Sequence, residues 1–411
     1  MKKIFMLLII LVISISMVAS FAFAAKSEKV KVLYWTWMSL QDMVAQFNGT
    51  QDEIEVELVP MAHADIMAKM TIALAANKGA PDIFDMTWRH SPNFTITGKL
   101  YDMTADVSDI IGKLPEDLQG VASFKGKVYG VPSCISPAVL WYRKDIFEAN
   151  GIGRLDTWSQ FEKAAAKLKS EGIYIMPVFN PAGSWGANAI SMFLGSRGGN
   201  IYTPDGKVIK NNTDLEFILN WIDDMSKNGY AESLTFFTPE FWGEFKAGKI
   251  AAWPMNTAEG ASIKRFMPEL EGKWGVMPFP KWDDKDEQLT GFWGGVVQMI
   301  PDQSLNKTES IAFLKWFIGT VEGQVAFSKA ANAVPVLPDA YSNEYYSKGD
   351  PFFGNDNVYT MLNDTTTFYY YDWSVVEKII GEKLDLMFAG KITPVQARQA
   401  IEDEISKETG R

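Results

Sequence analysis

Between Lys29 and Met86 the apolar residues change period several times, and that change constrains the fold more than anything else in the chain. Lys29–Trp35 (KVKVLYW) is a β-rich apolar run, which reads as a buried first strand. Leu40, Met43, Val44 and Phe47 then fall at helical spacing. Ile54–Val59 (IEVELV) alternates strictly and reads as a strand. Asp65–Asn77 is rich in Ala, Met and Leu, a helix with Asp65 as its cap and Lys78-Gly79 at its end. Pro81–Met86 is a short third strand. The order β-α-β-α-β predicts a parallel sheet with helices on its faces.

The alternation continues beyond. Lys127–Pro132 and Ala138–Tyr142 read as two strands, followed by a short helix to Ala149 that Asn150-Gly151 stops. Thr157 opens a helix whose face carries Trp158, Phe161, Ala165 and Leu168. Ile173–Phe179, Ile250–Trp253, Trp274–Met277 and Phe292–Ile300 read as strands. Trp185–Leu194, Leu215–Met225, Glu309–Ile318 and Val395–Ile405 read as helices. The charged run Asp283–Glu287 lacks the Gly and spaced ligands of a calcium loop and reads as a solvated loop.

Composition excludes several classes. With 39 Lys+Arg against 50 Asp+Glu, a net charge of −11, the chain is a poor binder of polyanions. Hydrophobic residues at 47% and charged residues at 22% place it among folded proteins. The single Cys134 allows no intramolecular disulfide and no Cys-based zinc cluster. Two His, His63 and His90, rule out a His-rich metal site and speak against a Ser-His-Asp triad. No cofactor is implied. The 411 residues suffice for two or three domain-sized units.

The first residues read as an export signal. Met1-Lys2-Lys3 precedes the uncharged stretch Ile4–Ile13, and Ala22-Phe23-Ala24 is an Ala-x-Ala site before the polar Lys26–Lys29. Cleavage after Ala24 would leave a freely diffusing periplasmic protein, since no Cys near the cut could take a lipid. An uncleaved anchor is the rival reading, because the apolar stretch nearly reaches spanning length.

Ligands in α/β folds sit beyond the carboxyl ends of the strands, and aromatic residues gather at those ends here. Trp35-Thr36-Trp37, Trp88-Arg89-His90, Gly183-Ser184-Trp185, Trp253, Phe292-Trp293 and Trp373 all lie at or near strand ends or after aromatic runs. An indole offers a flat apolar face and one donor, which suits a sugar ring. Core packing is the alternative for each. Trp158, Trp221 and Trp316 fall on helical apolar stripes, and Trp35 and Trp141 inside strand runs, so these five are assigned to core.

Several motifs, in order, give the chain a resemblance. They are Gly79–Phe84 (GAPDIF), Tyr129–Pro132 (YGVP) with Leu140–Phe147 (LWYRKDIF), Thr157–Phe161 (TWSQF), Phe245–Ala252 (FKAGKIAA), and Trp274–Pro280 (WGVMPFP) followed by Gly294-Gly295. The chain resembles the bacterial extracellular solute-binding proteins of the maltose-binding-protein type, which deliver sugars to ATP-driven importers. The resemblance implies an α/β fold of two lobes, each a mostly parallel sheet flanked by helices, with a ligand cleft between them. It implies one lobe from 25–136 plus 292–336 and another from 137–291 plus 337–411, with hinges at Ser136-Pro137 and Gly291-Phe292. It also implies a monomer that partners the membrane permease subunits of an ABC importer. Matched position by position, it assigns the sugar contacts to Trp37, Trp88, Arg89, Ser136, Trp185, Asn188, Trp293 and Trp373. The family often has a Gly-x-Trp after the strand matched by Ile250–Trp253. This chain has Met255-Asn256-Thr257-Ala258-Glu259 instead, so Asn256 and Glu259 are expected to bond hydroxyls where an indole would stack. A surface ion pair is the other reading of Arg89, and a solvated helix-start residue that of Glu259. His90 is read as a surface residue and left out of the site.

Two other functions fit an exported aromatic cleft. A glycosidase needs two carboxylates about 5 to 9 Å apart across one bond, and Glu259 is the only acid among the expected contacts. A polyamine binder would want several carboxylates among the aromatics.

Overall fold

The computed structural model describes residues 28–362, 364, 365, 371 and 373–411. The export segment expected over Met1–Ala24 and the aromatic residues Phe368–Tyr370 lie outside the described residues.

The first alternating segment folds as its periods predict: β1 (Val30–Thr36), α1 (Gln41–Thr50), β2 (Ile54–Pro60), α2 (His63–Ala76) and β3 (Ile83–Thr87). β1 pairs in parallel with both β2 and β3. α2 begins two residues before Asp65, which lies in its first turn and does not cap it. Asn77 ends the helix in the left-handed conformation, which Asn tolerates better than most residues.

The two strands expected over Lys127–Tyr142 are largely one. β4 runs from Gly130 to Arg143. Its first part pairs antiparallel with β9 (Phe292–Met299), and β9 pairs antiparallel with β3. Its second part pairs antiparallel with β7 (Ala252–Asn256) and β8 (Trp274–Pro278). Pro132 and Pro137 break the apolar run in sequence because each lacks an amide donor. Register shifts in the β4–β9 ladder, between Phe292/Gly295 and Val296/Val297, absorb them.

Between the two halves of the ladder come α3 (Trp158–Ser170), β5 (Met176–Phe179), α4 (Gly183–Ser196), α5 (Thr213–Lys227), β6 (Ala231–Leu234), α6 (Pro239–Lys246) and α7 (Glu259–Phe266). β5 and β6 pair in parallel. Thr157 starts α3 with a reciprocal capping box to Gln160. α8 (Lys307–Gly319) and α9 (Val321–Ala331) follow β9, and α10 (Trp373–Phe388) and α11 (Pro394–Thr409) end the chain.

Two main cores result, which makes the molecule two-lobed. One gathers Val32, Tyr34, Phe84 and Val131 with Val297, Phe313 and Phe327. The other gathers Leu140, Trp158, Phe161, Ile190 and Trp221 with Trp373, Ile380 and Ile401. A further cluster around Trp141, Phe241, Trp253 and Trp274 packs the outer face of β4, β7 and β8. Trp158 and Trp221 are buried as expected from their helical stripes, and Trp316 packs on the first core. Trp141 is buried, while Trp35 is half-buried against the first core under Lys69.

The run Asp283–Glu287 is exposed but engaged. Asp283 accepts from the Ser159 amide and hydroxyl at the start of α3, and Asp284 takes a two-pronged bond from Arg197. No helix among the described residues is long and apolar enough to cross a membrane.

Candidate functional site

β4 and β9 both pass between the cores, so residues at the crossing face a space bounded by both lobes. That space is a cleft of about 710 Å³, within the roughly 300–1,000 Å³ range of small-molecule sites. An apolar void of about 30 Å³ under Phe179 and Ile190 is the size of a single water and too small for a solute.

One wall comes from the first lobe. Trp37 follows β1, His63 and Met67 come from α2, Thr87 ends β3, and Arg89 and His90 follow it. The floor holds Cys134 and Ser136 of β4 and Trp293–Val296 of β9. The opposite wall holds Ser184, Trp185 and Asn188 of α4, Phe236 and Phe237 after β6, Asn256 and Glu259 beside α7, and Glu377 of α10.

Eight of the ten residues expected from sequence meet there: Trp37, Arg89, Ser136, Trp185, Asn188, Asn256, Glu259 and Trp293. Trp185 and Trp293 form the aromatic centre. Their rings stack 5.7 Å apart at 27°, and Phe179 continues the column beyond Trp293 at 6.4 Å. Trp185 stays 40% exposed, so it has indole surface to offer a ligand. Arg89 is not a surface ion-pair residue. It is 5% exposed, its guanidinium lies 5.9 Å from the Trp293 ring centre, and it donates to the Trp293 carbonyl. Gly294, at φ +117°, lies against that guanidinium; a β-carbon there would be strained at that φ.

Two expected contacts are corrected. Trp373 is 0% exposed in the second core, so no ligand can reach its face. Its indole N–H donates to Asn188 Oδ1 at 3.2 Å. An indole on the inner stripe of a packed helix is buried by its neighbours, which a match to a stacking position does not reveal. Trp88 is 9% exposed and packs on Phe292 in the first core. Residues alternate across a strand end, so its neighbours Thr87 and Arg89 take the cleft instead.

Asn256 ends β7 and Glu259 begins α7. Asn256 Oδ1 accepts from the Ala258 amide at 2.9 Å, which shapes the turn into α7. The Glu259 carboxyl is bonded by the Ser262 and Asn256 side chains. Burial nonetheless raises its pKa to about 7, and its Oε2 has no partner. A carboxyl at that balance can accept from a hydroxyl or donate to an acceptor oxygen.

Sequence reasoning missed Phe236, Phe237, His63, His90 and Glu377. The aromatic pair follows a strand, the signal already used elsewhere, but β6 was not anticipated. His90 is 4% exposed, not a surface residue. Its ring lies 5.4 Å from that of His63, which Trp37 meets edge-on at 4.8 Å. Burial, then the His90 and Arg89 charges, lower the His63 pKa to about 4. Glu377 lies on a helix hundreds of residues from the other wall in sequence, and no local signal marks it. Among the described residues no group of three His, Cys, Asp or Glu could hold a metal ion.

Residues 42–353 match the model of a family described as bacterial extracellular solute-binding proteins. The arabinooligosaccharide-binding protein of Bacillus subtilis is 22% identical over 99% of this chain and 100% of its own length. The diacetylchitobiose binding protein of Streptomyces coelicolor is 26% identical over 83% of this chain and 80% of its own. Among solved structures, the transporter-associated binding protein of B. animalis subsp. lactis, in complex with β-1,6-galactobiose, superposes with a TM-score of 0.80. It is 18% identical and covers 93% of this chain and 98% of its own.

Proposed function

The chain belongs to the bacterial extracellular solute-binding proteins, and from that premise we propose that it captures a carbohydrate between its lobes and delivers it to an ABC importer. The observation that carries this reading is the cleft itself: the Trp185–Trp293 stack beside Asn188, Asn256, Arg89 and Glu259, within one space that both lobes line. Indole faces cover the C–H faces of a sugar, and the polar groups meet its hydroxyls. The relatives named above bind arabinooligosaccharide and diacetylchitobiose, which supports the same ligand class.

The finer features belong to the same proposal. The lobes divide near Ser136-Pro137 and Gly291-Phe292, giving 25–136 plus 292–336 and 137–291 plus 337–411. The protein works as a periplasmic monomer after cleavage near Ala24 and catalyses no reaction on its ligand. Docking on permease subunits follows from importer function. Closure needs a ligand that touches both walls.

Intrinsic tryptophan fluorescence against a panel of mono- and oligosaccharides and polyols tests the proposal. A saturable shift with the sugar recovered intact is expected. Loss of sugar over time would make the protein an enzyme, and silence from a folded protein across the panel would overturn the ligand class.

A further inference from the structure

Away from the aromatic centre the two walls of the cleft touch each other. Asn93, in the short helix Ser91–Thr95 after β3, donates to Ser374 Oγ of α10 at 3.1 Å. One turn along α10, Glu377 Oε1 stands 3.4 Å from His90 Nε2. The His90 side chain is 6% exposed and that of Glu377 19%, so water screens the pair only in part.

We infer that His90 and Glu377 form a proton-sensitive latch between the lobes, drawing the cleft closed as the pH falls below neutrality. This rests on the reading of the interlobe cleft as the ligand site. Histidine is the ordinary side chain that changes charge between about pH 5 and 8. The other imidazole nitrogen, Nδ1, lies 2.8 Å from Thr87 Oγ1. A hydroxyl can donate to neutral Nδ1 or accept from protonated Nδ1–H, so this bond survives in both states. What changes is the charge facing Glu377.

The groups around the pair do not reverse the sign. Arg89, the next residue, is a cation throughout and stands on the same wall, so its repulsion of protonated His90 acts within one lobe and does not oppose closure. His63, on α2, has its pKa lowered to about 4 and is neutral throughout the pH range of the test. On α10, Lys378 sits beside Glu377 and faces Glu382 one turn along at 4.0 Å. Glu259, on the far wall, has its pKa raised to about 7 and so changes charge in this window. A control variant must therefore remove it.

The test is the radius of gyration of the ligand-free, full mature chain by small-angle X-ray scattering between pH 8.0 and 5.5. Wild type is expected to contract on acidification, and Glu259→Gln to contract equally. Glu377→Gln and His90→Gln should lose the contraction, with far-UV circular dichroism confirming that both fold. Asn93→Ala should keep the pH dependence. A wild-type radius that does not move, or a Glu377→Gln protein that contracts like wild type, overturns the latch. Because no sugar is present, this outcome is separate from the fluorescence panel. Sugar binding without acid contraction would end the latch alone, and acid contraction without sugar binding would end the ligand reading alone.

Discussion

Trp185 on the cleft wall is 40% exposed, while Trp373 in the second core is 0% exposed, so the same side chain stands in opposite surroundings. Trp185→Ala is expected to raise the dissociation constant of the sugar found by the fluorescence panel about tenfold, equivalent to about 1.4 kcal/mol. Calorimetry with a change under twofold would remove Trp185 from the site. Trp373→Ala should instead cost about 3–5 kcal/mol of stability in urea unfolding, as large buried aromatics do when truncated. Trp373→Phe keeps the ring and removes only the donor to Asn188. It should weaken sugar binding with a smaller loss of stability; unchanged affinity would show that the Asn188 amide needs no such anchor. Burial separates these two tryptophans, and burial depends on which helix lies against which. The sequence places both at positions that could stack. His90 shows the converse, since a lone polar residue after a strand gave no sign that α10 would cover it.

At the scale of elements, one buried polar knot ties β1, β3 and β9 under the first lobe's wall. Asp85 of β3 accepts from Tyr34 of β1 and from Gln298 of β9, the latter at 2.8 Å. Burial raises the Asp85 pKa from 3.8 to about 6, with bonds from Thr36, Tyr34 and Gln298 pulling it down in part. The folded state therefore holds this proton more tightly than the unfolded chain. That stabilisation is full below about 3.8 and is lost as the pH rises through about 6. The stability difference between wild type and Asp85→Asn should fall by on the order of 2 kcal/mol between pH 4 and 7.5, at about 1.4 kcal/mol per unit of pKa difference. Measuring the difference cancels His63, whose titration acts in the opposite direction, and a flat difference would show that Asp85 does not carry the proton. Gly291 makes a second element-scale prediction. A β-carbon there would lie 1.8 Å from the Met192 carbonyl oxygen of α4, so the chain re-enters β9 tight against that helix. Gly291→Ala should lower the urea midpoint, by about 1–3 kcal/mol in stability. An unchanged midpoint would mean that α4 and the crossing segment part easily. Periodicity made most helices and the β1–β3 unit legible in advance. It could not show that β4 is one strand, because its two prolines are tolerated only through register shifts set by β9.

At the scale of the whole molecule, a ligand that bridges the walls should close the cleft. The radius of gyration is expected to fall on adding saturating sugar, and the unfolding free energy to rise by about 2.7 kcal/mol at a hundredfold excess over the dissociation constant. Stabilisation without contraction would place the ligand on one lobe only. The sequence by itself determined the α/β alternation, the strand ends that face a site, and most of the site's residue types. Those follow from local rules, since side-chain period and turn chemistry act over a few residues. Tertiary structure alone decided which tryptophans keep a face in the cleft, that both histidines and Arg89 share one wall, and that Glu377 meets His90 across the lobes. Those depend on contacts between residues far apart in sequence, and no local pattern carries the burial or the distance that such contacts set.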